Sequence, residues 1–353
     1  MLVMKDKKAL VLKLRDSAQV LNVVPSAKPF TVNGTPLVAV PHRTEETRLL
    51  RNLGYNAPAP IRTYYDWPGR FTPFHAQKEA AAFLSMHKRA FNLSELGTGK
   101  SLASLWAYDY LRGIGLLNKC LIISPLSTLE RTWADELFNH FPHLTFAVLH
   151  GSKDKRIKLL KEDFDVYIVN HDGVGILEPH LKTRTDIDLV IVDEIAQCAR
   201  NAATTRWKQI NLVVNRHKEP RSCWGMSGTP TPNAPTDAWA QCRLINPASV
   251  PPYFNRFKGT VMKQLSQFQW IPRPEATQIV KDVMQPSVRF TRDECLDLPP
   301  LMYETRAVTL TSEQNKAYKE MLTRLSIQAD EGEITAVNEA VKMAKLVQIA
   351  CGV

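Results

Sequence analysis

The stretch Ser94-Glu95-Leu96-Gly97-Thr98-Gly99-Lys100-Ser101 decides how the rest of the chain is read. It follows a short apolar run, Arg89–Leu93, and opens a helical pattern, Leu102–Leu111. Strand, glycine loop, Lys-Ser and helix is the local order a phosphate-binding loop needs. Glycines let the backbone curl until its N–H groups face phosphate oxygens, the helix N-terminus adds a favourable dipole, and the lysine ammonium reaches the β- and γ-phosphates. Ser101 would give its hydroxyl to Mg²⁺. The strict spacing GxxxxGK[ST] asks for glycine five positions before Gly99, where Ser94 stands. On the loop alone, an ordinary glycine-rich strand-to-helix turn therefore stays open.

Downstream, the runs Cys120–Ile123, Val166–Val169 and Leu189–Val192 are apolar without polar alternation. Strands apolar on both faces belong in a parallel sheet covered by helices, which implies a doubly wound α/β domain. In such sheets ligands bind outside the carboxyl ends of the strands. Leu189–Val192 ends there in Asp193-Glu194. Asp193 is suited to hold Mg²⁺ through water, and Glu194 to polarise the attacking water. A further run, Ser222–Met226, leads into Ser227-Gly228-Thr229-Pro230, whose hydroxyls and peptides could sense a γ-phosphate. Alone, that segment is equally any Ser-Gly-Thr-Pro turn.

The 353 residues carry 45 Lys+Arg against 35 Asp+Glu, a net charge of +10, and are 44% hydrophobic. This composition excludes collagen, low-complexity disorder and disulfide scaffolds, and the basic balance hints at a polyanionic partner. The six cysteines include no CxxC pair and read as reduced thiols of a soluble, cytoplasmic protein. No apolar run approaches the roughly 18 residues of a membrane span, so no membrane partner is expected. Residues 1–66 read as a small α+β module, with a hairpin turning at Asn33-Gly34 and a helix capped by Thr44 and stopped by Gly54. Residues 67–250 carry the strand–helix alternation. Residues 251–353 lose it, apart from a strand-like run at Thr305–Leu310 and helical runs Ser312–Ile327, capped by Ser312, and Ile334–Ile349.

These motifs, in this order, resemble the SNF2-type ATPases of helicase superfamily 2, in particular their small bacterial and phage forms, over about residues 70–353. Thr72-Pro73-Phe74-His75-Ala76-Gln77 is similar to the family's glutamine motif, which implies that Gln77 recognises the adenine edge. Leu93–Ser101 is similar to motif I, where the first P-loop glycine is commonly absent; Gly97, Thr98, Gly99, Lys100 and Ser101 would hold ATP. Ile123-Ser124-Pro125-Leu126-Ser127-Thr128-Leu129 with Trp133 resembles motif Ia, implying that Ser124, Pro125 and Thr128 touch the DNA sugar-phosphate chain. His150-Gly151-Ser152 and Asn170-His171-Asp172 look like the next two DNA-facing segments, carried by Gly151 and His171.

Asp193-Glu194-Ile195-Ala196 occupies the DExH position, with Ile195 and Ala196 in place of the usual Ala-His. Ser227, Gly228 and Thr229 would couple nucleotide state to DNA, as in motif III, and Asn201, Thr205, Arg206 and Trp207 fall on the family's next helix. Leu298-Pro299-Pro300 through Glu304, then Leu310–Gln314 and Tyr318, resemble the brace between the two motor lobes. The family continues past a segment like Lys345–Ala350 into a second RecA-like lobe with the arginines that complete the ATP site. The resemblance thus implies a first lobe with its brace, able to bind ATP and Mg²⁺ and needing the second lobe for efficient hydrolysis.

The implied activity is ATP-driven movement on double-stranded DNA, gripped through its phosphates without reading sequence. The basic residues Lys153, Lys155 and Arg156 would extend that surface. Two other readings stay open: a strand-separating helicase, and a module that binds nucleotide and DNA without turnover. The N-terminal module would meet a protein partner. Within Tyr64-Tyr65-Asp66-Trp67-Pro68, an aromatic either stacks on adenine or packs the module against the motor, and Trp67 is expected to pack.

Overall fold

The computed structural model describes residues 1–215, 220–267, 269–295, 304–324, 326–329, 332–335 and 339–352. The chain divides into two compact units, Met1–Asp297 and Leu298–Val353. Among the described residues no helix is long and apolar enough to cross a membrane. All six cysteines are unpaired.

The first unit begins with four antiparallel strands, β1 (Leu2–Met4), β2 (Ala9–Leu12), β3 (Lys28–Val32) and β4 (Thr35–Pro41), in the order β1-β2-β4-β3. Alternation turns Leu10, Leu12, Val38 and Val40 onto one face, where they bury Val20, Val24 and Leu50 of the covering helices. Asn33 and Gly34 join β3 to β4 with φ +46° and +75°, the paired left-handed conformation that a two-residue hairpin requires. Gly54, at φ +87°, closes the helix Thr44–Asn52 as expected. Thr44 does not cap it: the capping position is Arg43, and Thr44 is the first helical residue, buried with its hydroxyl 3.4 Å from that of Tyr110. The same helix sends the Arg48 guanidinium to the carbonyls of Ser85 and Met86, at 2.9 and 3.0 Å.

The rest of the unit is built on seven parallel strands: β5 (Arg89–Asn92), β6 (Lys119–Ser124), β7 (Phe146–Val148), β8 (Val166–Asn170), β9 (Ile187–Val192), β10 (Ser222–Met226) and, after a short antiparallel pair β11 (Met262–Gln264) and β12 (Trp270–Pro272), β13 (Ser287–Val288). Their order is β13-β5-β10-β9-β6-β8-β7. The apolar runs explain this directly. Phe91, Leu121, Ile123, Val169, Val190 and Val192 face one layer of helices, while Ala90, Cys120, Ile122, Ile168, Leu189, Ile191 and Trp224 face the other. Each leucine, isoleucine, valine or phenylalanine among them, taken fully out of water, contributes about 1.5–3 kcal/mol. Only strands covered on both sides can carry this pattern, which is the doubly wound, RecA-like architecture the sequence implied. The edge strands β7 and β13 are three and two residues long, too short for periodicity to reveal. β13 lies beyond residue 250, so the sheet reaches further along the chain than the alternation suggested.

In the second unit, helices Ser312–Arg324 and Glu339–Ala350 pack through Met321, Leu346 and Ile349. Between them stands a hairpin, β14 (Ser326–Ala329) and β15 (Gly332–Thr335), whose outer residues the expected helical runs Ser312–Ile327 and Ile334–Ile349 had included. The cap is Thr311 rather than Ser312: the Gln314 N–H donates to the Thr311 hydroxyl at 3.2 Å and the Thr311 N–H to the Gln314 side chain at 2.9 Å. Thr305–Leu310 forms no strand. Leu298-Pro299-Pro300 lies outside the described residues.

Candidate nucleotide site at the carboxyl edge of the sheet

β5 delivers the chain to residues 94–99, and the helix Lys100–Gly113 carries it away. Gly97 and Gly99 stand at φ +83° and +78°, a conformation that L side chains adopt only under strain. Thr98 closes the turn, donating its hydroxyl to the Glu95 carbonyl at 2.8 Å, and Lys100 Nζ donates to the same oxygen at 3.0 Å. Ser101 follows in the first helical turn, with no hydrogen bond to its hydroxyl among the described residues. Ser94 explains the missing glycine. Its hydroxyl is buried and accepts the Phe290 N–H at 3.1 Å, so this position anchors another segment instead of curling.

Gln77, on the helix His75–Met86, accepts the Phe74 N–H at 2.9 Å. A Cβ on Gly99 would lie 2.0 Å from Gln77 Nε2, so the glutamine amide rests against the loop itself. Trp67 packs edge-on against Tyr65 and Trp106, as expected of a packing residue.

β9 ends in the two carboxylates. The Asp193 N–H donates to the Ile123 carbonyl at 2.8 Å, fixing this end against β6. One carboxylate oxygen of Asp193 accepts the Glu194 N–H at 3.0 Å and the other accepts the Trp133 indole N–H at 3.0 Å. Trp133 is fully buried on a π-helical turn, Leu129–Ala134, a local widening that often marks functional sites. Sequence reading placed Trp133 in a DNA motif and missed this contact, because nothing in the spacing tells which way an indole points from a widened turn. Glu194 sits at φ +46°, a left-handed conformation that costs a non-glycine residue about 1–3 kcal/mol and is tolerated where function requires it.

Burial raises the Asp193 carboxyl above its ordinary range, against the Trp133 and Glu194 hydrogen bonds and the Lys100 charge. Burial and the neighbouring Asp193 raise Glu194 as well. Burial lowers Lys100, against the pull of Glu194 and Asp193. Three charges are therefore held partly out of water, and among the described residues none of them is in an ion pair. A nucleoside triphosphate and Mg²⁺ fit this donor set: a loop curled at two left-handed glycines before a helix N-terminus, a desolvated ammonium, an unengaged hydroxyl at Ser101 and a carboxylate at Asp193. Among the described residues no group of three or more His, Cys, Asp or Glu gathers for a metal. Mg²⁺ suits such a site because it binds through one or two protein groups, substrate phosphates and waters.

The turn after β10 closes the constellation. Buried Ser227 stands beside the Glu194 carboxyl and works against the rise in its pKa; its N–H donates to the Asn92 carbonyl at 3.2 Å, and its hydroxyl accepts the Thr229 N–H at 3.3 Å. A Cβ on Gly228 would lie 3.3 Å from Leu96 N, so this turn rests on the phosphate loop. Ile195 packs into the core, its Cδ1 2.7 Å from where a Cβ on Gly225 would stand.

The residues expected to touch DNA divide. Pro125 and Thr128 are partly exposed beyond β6, and Gly151, at φ +104°, is exposed beyond β7. Ser124 is fully buried, its hydroxyl 3.4 Å from the Pro125 carbonyl, and presents no side chain to a partner. His171 is also interior: its Nε2 hydrogen-bonds the Asp193 carbonyl at 2.9 Å, so it buttresses the β9 turn rather than a DNA groove. Arg156 turns inward to Gly151 O and Asn170 Oδ1, at 2.9 and 3.0 Å, leaving Lys153 and Lys155 on the surface. Arg206 pairs with Asp172 at 2.5 Å, and Trp207 donates its indole N–H to the Ala240 carbonyl.

A family model described as the SNF2-related domain matches residues 31–350. Protein p41 of the Acyrthosiphon pisum secondary endosymbiont phage 1 is 26% identical over 295 residues, 80% of this chain and 64% of that protein. The ISWI chromatin-remodeling complex ATPase ISW2 of Saccharomyces cerevisiae is 28% identical over 173 residues, 46% of this chain and 15% of that protein. The Sulfolobus solfataricus SWI2/SNF2 ATPase core in complex with dsDNA shares the fold, with a TM-score of 0.53 at 21% identity over 80% of this chain and 59% of that one. The chain thus spans at most 64% of the length of any of these three. On the match that runs through most of its length, the chain belongs to the SNF2-related domain family.

Proposed function

We propose that this chain is the ATP-binding part of an SNF2-like, DNA-dependent ATPase that translocates on or remodels double-stranded DNA. The observation that carries the reading is the meeting of Lys100, Asp193 and Glu194 at one edge of the sheet, their charges desolvated, with Ser227 beside Glu194. Lys100 binds the outer phosphates, Gln77 the adenine edge, and Ser101 with Asp193 hold Mg²⁺. The metal, when bound, neutralises charge on the phosphoryl oxygens. Glu194, its basicity raised by burial, takes a proton from the attacking water. Ser227 stands beside that carboxyl and Gly228 rests on the phosphate loop, so the motif III turn registers whether the site is engaged. Double-stranded DNA would lie along the same edge, on Pro125, Thr128, Gly151, Lys153 and Lys155, with steep salt dependence because phosphates are what it offers. The relatives named for chromatin remodeling, and the archaeal core solved with dsDNA, favour this partner over a single strand.

Lys100→Ala is expected to abolish ATP binding measured by fluorescent-nucleotide titration, and unchanged affinity would sink the assignment. Glu194→Gln should keep nucleotide binding while single-turnover hydrolysis falls by about 10²–10⁴-fold, the usual contribution of a positioned base. Absence of hydrolysis by the unaltered chain with and without duplex would turn the reading toward a binding module, and unwinding without duplex-stimulated turnover toward a helicase.

A further inference from the structure

After β13 the chain does not leave the sheet; it crosses the phosphate loop. The Leu93 N–H donates to the Val288 carbonyl at 2.8 Å, the Glu95 N–H to the Phe290 carbonyl at 2.9 Å, and the Phe290 N–H to Ser94 Oγ at 3.1 Å. Glu95 finishes the attachment, one carboxylate oxygen accepting the Arg289 guanidinium at 3.4 Å and the other the Arg292 backbone N–H at 3.2 Å. Thr291 and Glu294 cap each other's N–H groups beyond it. The segment is therefore fixed without help from the Arg292 side chain.

That side chain reaches back into the loop. Arg292 Nε donates to the Leu96 carbonyl at 2.7 Å, and a Cβ on Gly97 would stand 3.9 Å from the same nitrogen. Among the described residues no carboxylate comes within ion-pair distance of the guanidinium, because Glu95 is taken by Arg289 and by backbone. The positive charge is near enough to Lys100 to disfavour its ammonium. A like charge beside a desolvated lysine, held by one neutral carbonyl, serves no purpose in packing. The residue is exposed beside the loop, its guanidinium otherwise open to an anion with several oxygens, and guanidinium matches phosphate in geometry.

We propose that Arg292 is a second cation of the nucleotide site, contributed by this chain's own post-sheet segment, and that it pairs with the outer phosphates of a nucleoside triphosphate. The inference rests on reading residues 94–101 as the phosphate loop, and it makes the segment Ser287–Cys295 part of the site rather than an exit from the lobe.

The test is titration of the full chain and of its Arg292→Gln and Arg292→Lys variants with fluorescent ATP, ADP and AMP, beside Lys100→Ala and with thermal melts. Expected for Arg292→Gln is an ATP affinity lower by about tenfold or more, the usual worth of a charged hydrogen bond. ADP should lose less and AMP nothing, with the melting temperature unchanged and Arg292→Lys, which keeps the charge but not the fork, losing less ATP affinity than Arg292→Gln. Equal losses for all three nucleotides, or a lysine variant as weak as the glutamine one, would mark Arg292 as a structural clamp and overturn the proposal. Unchanged ATP affinity in Arg292→Gln, with Lys100→Ala inactive, overturns it while leaving the phosphate loop intact. Unchanged affinity in Lys100→Ala removes the loop reading and this inference with it.

Discussion

The two edges of the seven-stranded sheet are electrostatic opposites. Covering helices run antiparallel to the strands, so their carbonyl ends gather at the amino edge and their amide ends at the carboxyl edge. At the amino edge the carbonyls are answered from within. Arg221, before β10, donates to the carbonyls of Leu181, Val213, Arg184 and Ile187 at 2.6–2.8 Å. Arg89, at the start of β5, reaches Asn215 Oδ1 and the carbonyls of Val214, Leu244, Ile245 and Arg221. Asp186, just before β9, holds Arg184 at 2.6 Å and Lys119 at 3.2 Å, and these partners keep its carboxyl well below the usual range. At the other end of the same strand, Asp193 and Glu194 are held above that range and Lys100 below its own. One edge completes its charges internally and makes structure. The other leaves them incomplete and makes a site.

The largest effect that would break this contrast is on Arg221. Burial lowers its pKa to about 10, yet its charge is retained because four carbonyls depend on it. Arg221→Leu should cost about 3–5 kcal/mol of stability in urea unfolding, since removing one side of a buried charged network leaves the other unpaired. Glu194→Gln should cost nothing at neutral pH in the same assay. A loss under about 1 kcal/mol for Arg221→Leu would mean that the amino edge is not where stability is concentrated.

The same asymmetry governs what the sequence could tell. β6, β8 and β9 were legible because residues apolar on both faces leave no alternative to a covered parallel strand, and Lys100, Asp193 and Glu194 because polar residues directly after such strands have nowhere to go but the carboxyl edge. Direction was not legible. His171, Ser124 and Arg156 lie at the expected edge yet point inward, since a polar residue one position past a strand can face either solvent or the turn beneath it. Trp133 and Arg292 were missed for another reason: their contacts join segments 60 and 196 residues distant, and no local pattern records such pairings. The hairpin at Ser326–Thr335 was lost because its strands are four residues each, too short for alternation to show beside helical runs that reached to Ile327 and began at Ile334.

Acidity sharpens the contrast with a change of sign. Glu194, raised in the folded chain, contributes stability while protonated, and that contribution is lost as pH rises through its folded value. Asp186, lowered, contributes above the unfolded carboxylate range and loses it as pH falls toward its folded value. Unfolding midpoints measured from acid to neutral pH should therefore show Glu194→Gln gaining on the unaltered chain as pH rises. Asp186→Asn should fall behind it over the same interval. Parallel curves for the two variants would place both carboxylates in equivalent surroundings, against the comparison.

The smallest effect separates the edges at constant backbone cost. The helix Lys100–Gly113 starts from Gly99 at φ +78° and is closed by Gly115 at φ +75°. Gly115 N–H donates to the Arg112 carbonyl and Leu116 N–H to that of Leu111, the paired bonds of a left-handed helix stop. Alanine at either position meets the same left-handed penalty of about 1–2 kcal/mol. A Cβ at residue 115 would enter open space, whereas one at residue 99 would strike Gln77 Nε2 and displace its amide. Gly115→Ala should thus lower stability by about that amount and leave ATP affinity untouched. Gly99→Ala should lower stability comparably and weaken ATP binding as well. Equal nucleotide affinity in the two variants would show that Gln77 does not work through its contact with the loop, and that the carboxyl edge tolerates the same crowding as the amino one.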